Sequence, residues 1–189
     1  MKTMTLQVWE HILTQTIEQS IKPLVVAIDG DAASGKTTFS ACYKDSPFVW
    51  VIPMDHFYLP FDQRTDDIGG HMDYDKLIHA ILIPHRQHKE MHYGWYDPHA
   101  SQIKKNFILP YKPIIILEGA YSCHPKLRSW IDLSSMFTIT PELQKKRIIF
   151  RSDTNTYDKY NDVWIPKEKH YQTQTKLDQY VDYHIYITE

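Results

Sequence analysis

The chain alternates between short unbroken apolar runs and stretches in which apolar residues return every three or four positions. Leu6, Trp9, Leu13 and Ile17 have the second spacing, with Glu, Gln and Thr between them, and predict a first amphipathic helix. Pro23-Leu24-Val25-Val26-Ala27-Ile28-Asp29 is then a continuous apolar run, the pattern of a strand buried on both faces. Four more strand candidates follow at 48–52, 113–117, 136–139 and 183–187. Helical spacing predicts helices over 36–44, 73–83, 141–152 and 167–180, the third opened by Thr140 as N-cap and Pro141 in the first turn. Strands alternating with helices predict an α/β fold with a parallel sheet.

Between residues 84 and 112 the periodicity fails among histidines, tyrosines and prolines, which predicts an irregular excursion or hairpin leaving the sheet. Such excursions often carry substrate contacts. The polar run 152–161 is expected to be a flexible loop.

At 189 residues the chain is long enough for one domain with a sizeable core, so a single domain over 1–189 is expected. Lys and Arg number 21 against 23 Asp and Glu, a net charge of -2 that supplies no basic footprint for nucleic acid and points to a small-molecule partner. No apolar run approaches the roughly 18 residues of a membrane span, and the N-terminal helix lacks a signal peptide's apolar centre. Cys42 and Cys123 form neither a disulfide framework nor a zinc spacing, so a cytoplasmic protein is expected. The composition leaves a homo-oligomer open.

Candidate chemistry begins where the first apolar run ends. Gly30-Asp31-Ala32-Ala33-Ser34-Gly35-Lys36-Thr37-Thr38 contains the P-loop pattern GxxxxGK[ST]. In that pattern backbone N–H groups wrap a phosphate, the lysine reaches its oxygens and the threonine hydroxyl binds magnesium. A glycine turn capping a helix would not require the Lys-Thr pair. Asp31 is the odd member, because a carboxylate in the cradle repels phosphate; its side chain is expected to face solvent and leave its N–H available.

Two acids stand where later strands end. Asp55, in Val51-Ile52-Pro53-Met54-Asp55-His56-Phe57-Tyr58, falls at the ligand crevice of a parallel sheet, where it can take the proton of an attacking hydroxyl; a turn-capping role is the other reading. Glu118, in Leu117-Glu118-Gly119, suits a magnesium partner opposite Thr37, or is a solvated strand end. Arg147 and Arg151 share one face of the 141–152 helix, either to neutralise a transferring phosphoryl group or as a solvated basic face.

Asp67-Ile68-Gly69-Gly70 and Thr175-Lys176-Leu177-Asp178 match GTPase motifs in spelling, but neither follows a strand. His85, His88 and His92 lack both a helix period and a carboxylate or cysteine partner at metal-ligand spacing.

Taken in order, GDAASGKTT, MDHFYLP, GGHMDYDKL, ILEGAY and the basic helix before the last strand resemble the uridine kinase-like branch of small-molecule P-loop kinases, related to phosphoribulokinase and pantothenate kinase. The resemblance spans about residues 22–188 and implies a P-loop NTPase fold: a five-stranded parallel sheet flanked by helices, a lid over about 143–165 and a substrate-side excursion over about 84–112. It further implies transfer of the γ-phosphoryl of ATP or GTP, with Mg2+, to a small-molecule hydroxyl, in uridine kinases the 5′-OH of uridine or cytidine. Nicotinamide riboside, pantothenate or a sugar are the other acceptors considered, and a silent nucleotide-binding module is the non-catalytic alternative. By resemblance Asp55 is the general base and lies near the metal, Tyr58 lines the acceptor pocket, Asp73 binds the ribose hydroxyls and Tyr96 contacts the acceptor's ring. The family pattern of Asn, aromatic, Asp-His-Pro is replaced here by His71-Met72-Asp73-Tyr74, and its lid arginines stand three apart rather than four.

Overall fold

A computed structural model describes residues 2–20 and 22–188. The chain runs β1 (Lys2–Met4), α1 (Leu6–Gln19), β2 (Leu24–Gly30), α2 (Lys36–Ala41), β3 (Val49–Pro53), α3 (Tyr74–Leu77) and α4 (Ile83–Arg86). It continues through β4 (Met91–Asp97), β5 (Gln102–Leu109), β6 (Ile114–Glu118), β7 (Leu133–Ile139), α5 (Pro141–Arg151), α6 (Thr154–Lys159), α7 (Ile165–Gln174), α8 (Leu177–Tyr180) and β8 (Tyr183–Ile187).

Six strands pair in the order β1-β8-β7-β2-β6-β3, all parallel. The five expected strands are present. The sixth corrects the expected count: β1 is only Lys-Thr-Met, too short to carry a periodicity, and it adds to the edge by pairing Lys2 with Tyr183.

The apolar runs have no polar alternation because each strand face meets its own core. Val25, Ala27, Ile115 and Leu117 join one cluster with Phe57, Leu77 and Tyr171. Their neighbours Val26, Ile28, Ile114 and Ile116 point the other way, against Trp9, Leu13 and Phe39 of α1 and α2. A period of two thus sends alternate residues into opposite layers. Trp9 and Leu13 are fully buried, as the first helix's spacing requires.

Four local expectations change. The helix from residue 73 extends through a π-helical stretch, Ile78–Leu82, into α4 and ends at Arg86; the wider turn precedes Pro84, which lacks an N–H. The excursion takes the hairpin form, one of the two expected, with β4 antiparallel to β5, but it begins only at Met91 and is bulged between Trp95 and Tyr96. The last helical stretch is broken at Lys176, whose φ of 50° is left-handed, so α7 and α8 are separate. The 152–161 run is mostly helix rather than loop: Asp153 caps α6 by accepting from the Thr156 N–H at 2.6 Å, and a π-helical stretch, Tyr160–Trp164, carries the backbone on into α7. Among the described residues, no helix is long and apolar enough to cross a membrane.

Candidate functional site

The loop between β2 and α2 starts at the carboxyl end of a central strand, beside β6 and β7. Gly30 has φ +124°, and a Cβ there would collide with the Phe137 carbonyl of β7, so only glycine fits. Lys36 is buried and folds back so that Nζ donates to the carbonyls of Gly30 (2.9 Å) and Asp31 (2.7 Å). Ser34 Oγ is buried without a hydrogen-bond partner among the described residues. At the start of α2 the first N–H groups have no intrahelical acceptor. An ammonium, an orphaned hydroxyl and outward N–H groups fit a bound phosphate.

The loop separates two cavities. One, of about 410 Å³, is bordered by Ala32, Ala33, Lys36 and Thr37 and opens toward Asp55, Glu118 and Tyr58. The other, of about 480 Å³, takes in Ser34, Gly35, Thr38, Phe39 and Cys42 and reaches Glu10 of α1. Ala33, Lys36, Thr37 and Arg151 line both. A ligand seated on the loop can therefore extend from the second cavity into the first.

Glu118 ends β6, and its Oε2 accepts from Thr37 Oγ1 at 3.2 Å. Burial raises its pKa, opposed by the Lys36 ammonium and the Thr37 hydroxyl. Asp55 lies in the 3-10 turn after β3, exposed to the cavity, and accepts from Tyr58 Oη at 2.7 Å. Burial, and then the Asp55 carboxylate, push the Tyr58 phenol far above its ordinary pKa, so it remains a donor. A hydroxyl and two carboxylates are hard oxygen donors of the kind magnesium takes alongside phosphate oxygens and water, so Thr37, Glu118 and Asp55 fit that ion.

Beyond Asp55 the first cavity is aromatic. The His71 ring lies 4.8 Å from Tyr121, 5.8 Å from Tyr58 and 6.2 Å from Trp164, centroid to centroid. Burial, then the positive charges of Arg64 and Lys167, lower its pKa to about 4, so the imidazole is neutral at physiological pH. Asp73 and Tyr96 do not border this cavity: Asp73 Oδ1 caps α3 by accepting from the Lys76 N–H at 2.9 Å, and Tyr96 is half-buried at the hairpin bulge. Pro98 and His99, at the hairpin turn, do line it.

Helices α5 and α7 hold the loop from outside. Gln144 Nε2 donates to the Ala32 carbonyl at 2.9 Å and Arg147 Nη1 to that of Ala33 at 3.1 Å. Arg151, one turn on, faces both cavities and approaches Tyr160 Oη at 3.5 Å. The pair at four-residue spacing therefore sits at the loop.

Asp31 corrects the expectation made for it. Its side chain is 1% exposed rather than solvated, and its N–H is bonded to the Phe137 carbonyl at 2.9 Å rather than free. The carboxylate is turned away from the cradle and accepts from Lys169 Nζ (2.8 Å), Gln172 Nε2 (2.9 Å) and the Ile139 N–H (3.1 Å). Burial is tolerated because both oxygens have donors, two on Oδ1 and one on Oδ2.

Glu168 is a site residue that sequence reasoning missed, as it missed the aromatic lining of His71, Tyr121 and Trp164. Glu168 rises from α7, lines the first cavity, and its Oε2 accepts from the Ala32 N–H at 2.9 Å. The available signal is Tyr160, Trp164 and Glu168 at four-residue spacing, which places an acid on a helix stripe otherwise aromatic.

No family model matches the sequence. Among solved structures, a protein described as a possible uridine kinase from Bacillus stearothermophilus superposes with a TM-score of 0.66 at 19% identity, over 95% of this chain and 98% of that one. A candidate fructose transport system kinase from Silicibacter sp. TM1040 gives 0.63 at 17% identity, over 90% and 95%. YFH7 from Saccharomyces cerevisiae, a candidate P-loop kinase with a circular permutation, gives 0.59 at 11% identity, over 97% of each chain. Likeness at such identities speaks for fold alone. The chain has the α/β fold of these P-loop kinase structures, a parallel sheet flanked by helices.

Proposed function

We propose that this chain is a kinase that transfers the γ-phosphoryl group of ATP or GTP to a hydroxyl of a small metabolite, with the 5′-OH of uridine or cytidine as the leading acceptor. The observation that carries the reading is that Asp55, Lys36, Thr37 and Glu118 border one cavity at the end of the phosphate loop. Nucleotide binding alone does not call for an exposed carboxylate across from the loop. Transfer to a hydroxyl does, because the acceptor must lose a proton.

In this reading the acceptor hydroxyl sits against Asp55 and gives it the proton as its oxygen bonds to the γ-phosphorus. The bond from that phosphorus to the β–γ bridging oxygen breaks, and the nucleoside diphosphate leaves. Thr37, Glu118 and Asp55 would hold Mg2+, which when bound would neutralise charge on the phosphate oxygens. Lys36 exchanges its two carbonyl contacts for phosphate oxygens, and Arg147 and Arg151 add positive charge from the lid side. Tyr58 orients the Asp55 carboxylate and, with the ring of His71, forms the acceptor wall. The assignment of Asp73 to ribose hydroxyls and Tyr96 to the base rests on the resemblance. Phosphoryl transfer places little covalent demand on a protein, so alignment and charge neutralisation suffice.

The test is a panel of uridine, cytidine, nicotinamide riboside, pantothenate and sugars with γ-labelled ATP or GTP and magnesium. Labelled uridine or cytidine phosphate is the expected product. Label transferred only to another acceptor removes the nucleoside assignment, and no labelled product from any acceptor removes the kinase.

A further inference from the structure

The backbone from α6 through Tyr160–Trp164 to α7 presents Tyr160, Trp164 and Glu168 to the first cavity. Glu168 is delivered to the loop by fixed neighbours. Lys169 and Gln172 bind the buried Asp31 carboxylate, and Tyr171 Oη donates to Asp29 Oδ2 at 2.7 Å. These contacts pin α7 against the end of β2. The Glu168 carboxylate is thereby held on the Ala32 N–H.

Ala32 marks one end of the phosphate path. Ser34, Gly35 and Thr38 line the second cavity, whereas Ala32 lines only the cavity containing Asp55. A polyphosphate laid along the loop with its transferable end toward Asp55 brings its terminal group to Ala32. One N–H cannot serve a carboxylate and a phosphate oxygen together, and two anions at that separation repel strongly in a partly buried site.

We propose that Glu168 is a resident anion of the phosphate loop, which occupies the Ala32 N–H in the free protein and must leave it when the terminal phosphate of a nucleoside triphosphate arrives. The inference rests on the donor site described under Proposed function. It gives the protein an internal competitor that acts against triphosphates more than diphosphates. Lys36 is parked in the same way, on two carbonyls of its own loop, so both groups are hydrogen-bonded to the loop backbone before the donor binds. The groups facing Glu168 are Lys36 from α2, Asp31 and Asp29 from the end of β2, and Tyr121 from the turn after β6. Burial raises its pKa to about 7, with Lys36 and the Ala32 N–H opposing and the two aspartates adding to the rise.

The experiment is calorimetric binding of the β,γ-imido analogue of ATP, and of ADP, with magnesium, to the wild-type chain, Glu168→Gln and Glu168→Ser. Serine is included because a glutamine amide oxygen can still accept from Ala32. Both variants are expected to bind the triphosphate about tenfold more tightly than wild type and ADP within about twofold. Between about pH 8 and about pH 5.5 the wild-type difference should close as Glu168 gains its proton. Triphosphate binding by both variants that is unchanged or weaker, or an equal gain for ADP, overturns the proposal. A preserved gap with no transfer to any acceptor sustains it and removes the kinase reading. Absence of nucleotide binding by wild type and both variants overturns both.

Discussion

Replacing Asp31 by alanine removes a carboxylate that is 1% exposed and accepts from Lys169 Nζ, Gln172 Nε2 and the Ile139 N–H. The consequences differ among the three donors. The Lys169 side chain is 52% exposed and can return to water, so its share is at the low end for an ion pair. The Ile139 N–H, at the buried end of β7, is left without an acceptor, which costs about 1–3 kcal/mol. Adding the charge-assisted bonds gives a loss of about 3–4 kcal/mol, or a Tm lower by roughly 6–16 °C for a chain of this size. Asp31→Asn keeps an acceptor oxygen and should lose about half as much. Lys169→Met leaves the buried carboxylate with neutral donors only, and the double variant Asp31→Asn/Lys169→Met should be more stable than Lys169→Met alone. Urea denaturation followed by circular dichroism reads each as a shift in midpoint at constant slope. Asp31→Ala within about 0.5 kcal/mol of wild type, or a double variant whose losses simply add, would falsify the clamp.

Asp55→Asn should lower turnover by about 10²–10⁴-fold with nucleotide affinity kept, measured by steady-state kinetics and calorimetry; near-normal turnover removes Asp55 as the base. Thr37→Ala and Glu118→Gln should each raise the magnesium concentration needed for half-maximal activity, and an unchanged magnesium titration excludes them as its holders. Gly30→Ala, with its Cβ driven against the Phe137 carbonyl at φ +124°, should destabilise by more than about 3 kcal/mol, and a normal melting curve refutes that packing. Because the folded pKa of Glu168 is raised from 4.5 to about 7, the native state holds its proton more tightly than the unfolded chain. Wild-type stability relative to Glu168→Gln should therefore fall as pH rises through about 4.5 to 7, by at most about 3 kcal/mol, and a pH-independent difference contradicts the burial.

The central sheet was legible because its strands are covered on both sides, which leaves unbroken apolar runs of the Val25–Ile28 kind. The phosphate loop was legible because its spacing is local. The edge strand Lys2–Met4 had no such run, since three residues at a sheet margin need only backbone pairing. The helix Thr154–Lys159 was hidden because it has no buried residue; it relies on the Asp153 cap and on continuity with α7. Asp31 and Glu168 were misjudged or missed for a common reason. Their partners Lys169 and Ala32 lie 138 and 136 residues away in the chain, and no local pattern announces a contact made only after the sheet and lid are assembled.

The helical continuity from Thr154 to Gln174 also acts mechanically. A flexible loop would let the donor and acceptor ends of the cavity adjust separately. Here Tyr160, Trp164 and Glu168 ride one continuous helical segment, roughly 10 Å long, that borders the first cavity and reaches the phosphate loop. The segment is bounded by Ser152–Asp153 and by left-handed Lys176, and within it the π-helical stretch Tyr160–Trp164 precedes Pro166, which lacks an N–H. On the proposed reading, a movement of this segment that withdraws Glu168 from Ala32 would also shift Trp164 against His71, which would tie the fit of an acceptor to the arrival of the terminal phosphate.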